Sequence, residues 1–137
     1  SMLGYEYFLE GKVVSGDHRG AKLGFPTANI QSSHPNKLLP GNGVYFVSMQ
    51  INGDLYFGMA NIGTRPTFTD DSFRTLEVHL LNFTGNIYNK TVTVNFLKFL
   101  RGEQKFPNLE VFLNQLEADR DKCNEFIELI YKNNFSG

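Results

Sequence analysis

"VYFVSMQINGDLYFGMANI", residues 44–62, decides the fold. Two runs of β-branched and aromatic residues flank Asn52-Gly53-Asp54. An Asn-Gly step between such runs is a strong hairpin signal, because both central residues of a type I′ turn need positive φ. Working outward, "FRTLEVHLL" (73–81) alternates: Leu76, Val78 and Leu80 point one way, Thr75, Glu77 and His79 the other. "TVTVNFLKFL" (91–100) is a further strand, reached through the turn-rich "NFTGNIYNK", and Phe8–Val14 is a short one between glycines. Six strands with short connections predict a small closed antiparallel β-barrel, in which closure removes exposed sheet edges. The period then changes. Leu109, Phe112, Leu113, Leu116, Cys123, Ile127 and Ile130 are spaced as on an amphipathic helix over about 108–132, with Pro107 before it and Asn108 as N-cap. Glu117–Lys122 is its expected wet part.

Bulk composition narrows the function. The 137 residues suit a single domain, 1–137, and a hydrophobic fraction of 41% supplies a core. Thirteen cations against fourteen acids give a net charge of -1, so no overall positive field draws the chain to nucleic acid or to an acidic membrane. The sequence contains no apolar run of membrane-spanning length and its first residues do not read as a signal peptide, so a soluble, cytoplasmic protein is expected. The lone Cys123 builds neither an internal disulfide nor a cysteine metal site, and reads as an inert, partly buried thiol.

Several residues carry possible chemistry. In "GDHRGAKLGFPTAN" (16–29), Gly16, Gly20 and Gly24 recur every fourth residue, with Arg19 and Lys22 among them. The stretch matches neither the P-loop nor the dinucleotide fingerprint. Glycines alone fit barrel bends equally well. Pro26 pushes Phe25 toward an extended conformation, so Thr27 and Asn29 share a face if the chain stays extended. Their oxygens suit Mg²⁺, and they suit equally a turn bonding to its own backbone. In "NIGTRPTF" (61–68), Gly63 and Pro66 shape a tight loop, and Arg65 is a phosphate contact or a surface cation. Glu77 is a base or a solvated carboxylate, and His79 is a neighbour of it, a group acting through it, or an exposed side chain, with exposure favoured. A His and a Glu on one strand face could begin a metal site, but no third ligand is spaced to complete it.

"GKVVSGDHRGAKLGFPTANI", "LPGNGVYFV", "ANIGTRPTF", "LEVHLLNFTGNIYNK" and "FLRGEQKF" followed by a helix resemble, in order and over most of the chain, the riboflavin kinase domain. They are similar in particular to the C-terminal half of bacterial bifunctional riboflavin kinase/FMN adenylyltransferase. The resemblance implies a six-stranded antiparallel Greek-key barrel with a C-terminal helix. It also implies transfer of phosphate from ATP, with Mg²⁺, to the ribityl 5′-hydroxyl of riboflavin, giving FMN and ADP. An N-terminal FMN adenylyltransferase domain is then expected outside these residues, which carry no nucleotidyltransferase motif. By the same resemblance, Gly16, Gly20, Lys22 and Gly24 belong to a flap over the nucleotide phosphates. Thr27 and Asn29 hold Mg²⁺ with the nucleotide, Tyr88 lies near the nucleotide, and Glu77 is the catalytic base. Arg101 and Phe106 lie near the isoalloxazine. Where the family has glycine after the tyrosine this chain has Asn89, which tolerates positive φ.

Phosphoryl transfer asks a protein mainly for placement and charge neutralisation, and glycines let backbone N–H groups approach phosphate closely. Two other readings compete. A flavin or nucleotide carrier without turnover needs no base, so Thr27, Asn29 and Glu77 together argue against it. A nucleic-acid-binding barrel would need a basic, aromatic-studded face, which the charge balance does not offer.

Overall fold

The computed structural model describes residues 7–15, 27–32, 39–66, 72–81 and 87–136, with the backbone alone described at several segment ends. Six strands and one long helix follow in order: β1 (Tyr7–Ser15), β2 (Thr27–Ser32), β3 (Gly43–Ile51), β4 (Asp54–Pro66), β5 (Ser72–Leu80), β6 (Thr91–Arg101) and α1 (Leu109–Ser136). The strands lie in one compact unit, residues 1–103, and the helix in a second, 104–137.

All strand pairs are antiparallel and the sheet closes in the order β1-β2-β5-β4-β3-β6. The consecutive strands β3, β4 and β5 form a meander, and β6 returns to lie beside β3, which is the Greek-key arrangement. Alternation fills the interior. Leu9 and Val13, Ala28 and Ile30, Val47, Met49 and Ile51, Ala60 and Ile62, Leu76, Val78 and Leu80, and Val92, Val94 and Phe96 make one buried cluster. Strand β3 is buried on both faces: Phe46, whose neighbours Tyr45 and Val47 point inward, is 1% exposed and stacks on Phe57 with ring centroids 5.6 Å apart.

The hairpin turn is as expected, with Asn52 at φ 54° and Gly53 at φ 86°. Asn89 also takes positive φ, 71°. Its turn is tied to β1, because the Asn89 N–H donates to the Val13 carbonyl at 2.8 Å and the Val13 N–H to the Lys90 carbonyl at 3.0 Å. One expectation fails. The stretch 61–66 is not a tight loop but the end of β4, since Gly63–Pro66 pair with Ser72–Thr75 of β5. Pro66 is tolerated because it stands at the strand's last position.

In the helical unit the Asn108 side chain caps the helix, its Oδ1 accepting from the Val111 N–H at 2.9 Å. The helix runs four residues past the expected end, to Ser136. Leu116 and Cys123 are buried, and so, against expectation, is Asp119 in the supposedly wet stretch. Its carboxylate is reconciled to burial by accepting from Gln115 Nε2 at 2.9 Å, one turn away. Burial, and secondarily the Asp119 charge, push the Cys123 thiol up to about 12. No helix among the described residues is long and apolar enough to cross a membrane.

Two outcomes follow from this architecture. Gly53→Ala puts a Cβ on a residue held at φ 86° and lowers unfolding stability by about 1 kcal/mol, read as a shift in the urea midpoint. Cys123, with about one thiolate in 10⁴ at pH 8, reacts with a maleimide only as fast as the helix opens, so labelling accelerates with denaturant.

Candidate active site

Strand β5 builds the site. Because Leu76, Val78 and Leu80 are drawn into the core, Thr75, Glu77 and His79 are left on the outer face. The ladders then fix their neighbours. Glu77 lies opposite Asn29 of β2 on one side and opposite Asn61 of β4 on the other. Residues paired in this way point to the same face with Cβ atoms about 5 Å apart. The row continues in both directions, to Ser15 beyond Asn29, and to Val44 and then Arg101 beyond Asn61. One belt around the barrel thus carries Asn29, Glu77, Asn61 and Arg101. The next row holds Thr27, His79 and Met59.

Glu77 is not solvated. Its side chain is 12% exposed, and its Oε1 lies 3.0 Å from Nε2 of His79, itself 8% exposed. The expectation of an exposed His79 therefore fails: the outward-facing imidazole is enclosed, with the carboxylate as polar partner. Beside Glu77 opens a polar cavity of about 120 Å³, lined by Asn61, Gly63, Thr64, Thr75, Glu77 and Glu103. Gly63 lets the Glu103 carboxylate lie close over the strand: a Cβ there would stand 2.5 Å from Glu103 Oε1, and the glutamate side chain would have to move aside.

A hydrogen-bonded staple holds the rim. Asn42 donates through Nδ2 to Thr64 Oγ1 at 3.0 Å and to Glu103 Oε2 at 3.5 Å. Its Oδ1 accepts from Arg74 Nε at 2.8 Å, and the same guanidinium donates to the carbonyls of Leu39, at 3.3 Å, and Pro40. One arginine on β5 thereby fixes the segment entering β3, and through Asn42 the cavity wall.

Of the residues singled out from sequence, Asn29 and Glu77 are paired on adjacent strands, with the Thr27 backbone one row away, whereas Arg101 stands three strands from Glu77 along the same belt. Arg101 is half-exposed, its Nη1 donating to the Gly102 carbonyl at 3.3 Å. Tyr88 is 60% exposed, on the turn bonded to Val13. Phe106, in the helical unit, packs against Phe112 with centroids 5.4 Å apart. Gly16, Arg19, Gly20, Lys22 and Gly24 lie outside the described residues, as do the side chains of Thr27 and Arg65. Asn42, Asn61, Thr64, Arg74 and Glu103 were not singled out. All but Arg74 lie in the stretches that carry the family resemblance, and Asn61 is also the polar alternate between Ala60 and Ile62.

Among the described residues, the cavity lining offers carboxylate, hydroxyl and amide oxygens, a hard set that suits Mg²⁺ better than a thiophilic metal. Among the described residues, no cluster of three or more His, Cys, Asp or Glu could hold a metal by itself.

The sequence profile of the riboflavin kinase family (flavokinase) matches residues 3–127. A bifunctional riboflavin kinase/FMN adenylyltransferase of Listeria monocytogenes is 41% identical over 125 residues, 91% of this chain and 40% of that protein. The chain thus spans about two fifths of the length of the curated relatives it matches. Among solved structures, a riboflavin kinase of Trypanosoma brucei superposes with TM-score 0.59 at 25% identity, covering 90% of this chain and 81% of that one. A Streptococcus pneumoniae protein described as a macrolide-efflux protein gives TM-score 0.79 at 33% identity, covering 87% and 38%.

Arg74→Lys leaves an ammonium that cannot reach all three of its partners. The expected result is a loss of about 1 kcal/mol in urea unfolding, with the far-UV spectrum unchanged.

Proposed function

The chain belongs to the riboflavin kinase family, and we propose that it transfers the γ-phosphoryl group of ATP to the ribityl 5′-hydroxyl of riboflavin, giving FMN and ADP. The observation that carries this reading is the placement of Glu77, enclosed between two amide-bearing strands and open to a polar cavity. The polar cavity of about 120 Å³ has room for a hydroxylated chain. Riboflavin offers such a chain, ending in the alcohol to be phosphorylated.

Glu77 orients that alcohol and takes its proton as the oxygen–phosphorus bond forms and the bond to ADP breaks. Its value lies chiefly in position, because a free glutamate, of pKa about 4.3, is a weak base toward an alcohol. Asn29 and Thr27 would hold Mg²⁺ together with the phosphates, and bound there the ion neutralises the charge on the transferring group. Gly16, Gly20, Lys22 and Gly24 are assigned to the phosphate flap, and Tyr88 to the nucleotide side. That flap leaves β1 where Ser15 pairs with Asn29 and rejoins the barrel at Thr27. Arg101 and Phe106 are assigned to the flavin ring.

We take both units as one kinase domain, because the family match runs across them. The adenylyltransferase activity named for the relatives is assigned to the part of their length that this chain does not span. The S. pneumoniae description concerns a longer chain, of which the match covers 38%, and it does not bear on the kinase assignment. A cytoplasmic setting, rich in ATP and thiol-reducing, fits a chain with one buried free cysteine.

The test is FMN formation by the purified chain with riboflavin, ATP and Mg²⁺. FMN is expected, with none after chelation of the metal. Glu77→Gln is expected to lower kcat by about 10²-fold or more. A parent chain that binds both substrates and yields no FMN would sink the proposal.

A further inference from the structure

We infer that His79 is a positioning residue that locks the Glu77 carboxylate in its working orientation, a role that rests on the kinase reading above. The two residues stand two apart on β5 and so share the outer face. Their side chains meet at 3.0 Å and are 8% and 12% exposed. An ionised carboxylate only accepts, so Nε2 of His79 carries the hydrogen and donates it to Oε1.

This bond has a consequence for Glu77 that its burial alone does not supply. A glutamate side chain has three rotatable torsions, and holding them in one arrangement costs about 1–2 kcal/mol. The ladder places the Glu77 Cα but leaves those torsions undetermined. Anchoring Oε1 to an imidazole fixes the carboxyl plane, and with it the location of the second oxygen. A base must come within about 3 Å of the proton it takes. The imidazole is itself held. It belongs to a strand whose flanking residues, Val78 and Leu80, are buried in the barrel core, and it lies on the row between Thr27 and Met59. Its stiffness is therefore passed to a carboxylate that borders a cavity.

A merely structural histidine would matter for stability and not for turnover, so the test separates the two. His79→Leu keeps comparable bulk without a donor, and His79→Gln keeps an N–H. In the FMN assay, folded His79→Leu is expected to lose about 10- to 100-fold in kcat, with KM for riboflavin and for ATP within about threefold of the parent. His79→Gln is expected to regain a substantial part of that loss. In a Glu77→Gln background, His79→Leu should cost less than about twofold more, because the base that it positions is already gone. An unchanged kcat in folded His79→Leu, or an equal loss in both backgrounds, overturns the inference.

If His79→Leu does not fold, histidine ¹⁵N shifts of the otherwise unaltered chain decide. An Nε2-protonated ring whose resonances move on Glu77→Gln supports the role, and an Nδ1-protonated ring overturns it. A parent that makes no FMN refutes the kinase reading instead, and the role falls with it.

Discussion

The site depends on the register of a closed barrel. Inside and outside alternate along every strand, and each strand is held by two neighbours, so no strand can slide alone. The burial of Leu76, Val78 and Leu80 is what turns Glu77 and His79 outward. A slip of one residue in β5 would bury the carboxylate and expose three aliphatic side chains. The hydrophobic effect, at roughly 2 kcal/mol for each such side chain, therefore enforces the position of the polar belt. No polar interaction on the outer face has to specify the register.

Given that register, the chemistry comes from residues far apart in sequence. Asn29, Glu77 and Asn61 come from three strands that are neighbours only because of the Greek-key order. The cavity beside them is bordered by Glu103, which follows the last strand and is held by Asn42, which precedes the third. Among the described residues the inner lining of the barrel is apolar apart from tyrosine hydroxyls, whereas this patch of its outer surface is amide, hydroxyl and carboxylate. Such a surface suits a ligand with many hydroxyls and phosphate oxygens better than a flat aromatic one.

The barrel was legible from local signals because each has a local cause. Asn52-Gly53 is read as a turn since few other pairs accept positive φ twice, and Asn108 is read as a cap from its place before an apolar period. The alternation in 73–81 even gave the correct face for Glu77. The alternation did not reveal what encloses an outward residue. His79 looked exposed because period-two patterns separate two faces and say nothing of cover on the second, and Asp119 misled for the same reason on the helix. Gly63 and Pro66 looked like loop punctuation, yet pairing with β5 carries the strand through both. Arg74 gave no signal, and the motif that holds Glu103 did not disclose its partner, since residues 32 and 61 positions apart meet only after the topology is known.

The belt also sets a length scale. Adjacent strands stand about 4.8 Å apart whatever side chains they carry. The Cα separations between Glu77 and the two asparagines flanking it are therefore properties of the sheet, and no substitution on the outer face adjusts them. Such a site can be tuned only in discrete steps, by adding or removing a methylene, as between Asp and Glu or Asn and Gln. A chain of this fold that handled a differently shaped acceptor would have to change reach along the side chain or move to another row. It could not do so by drifting smoothly between them.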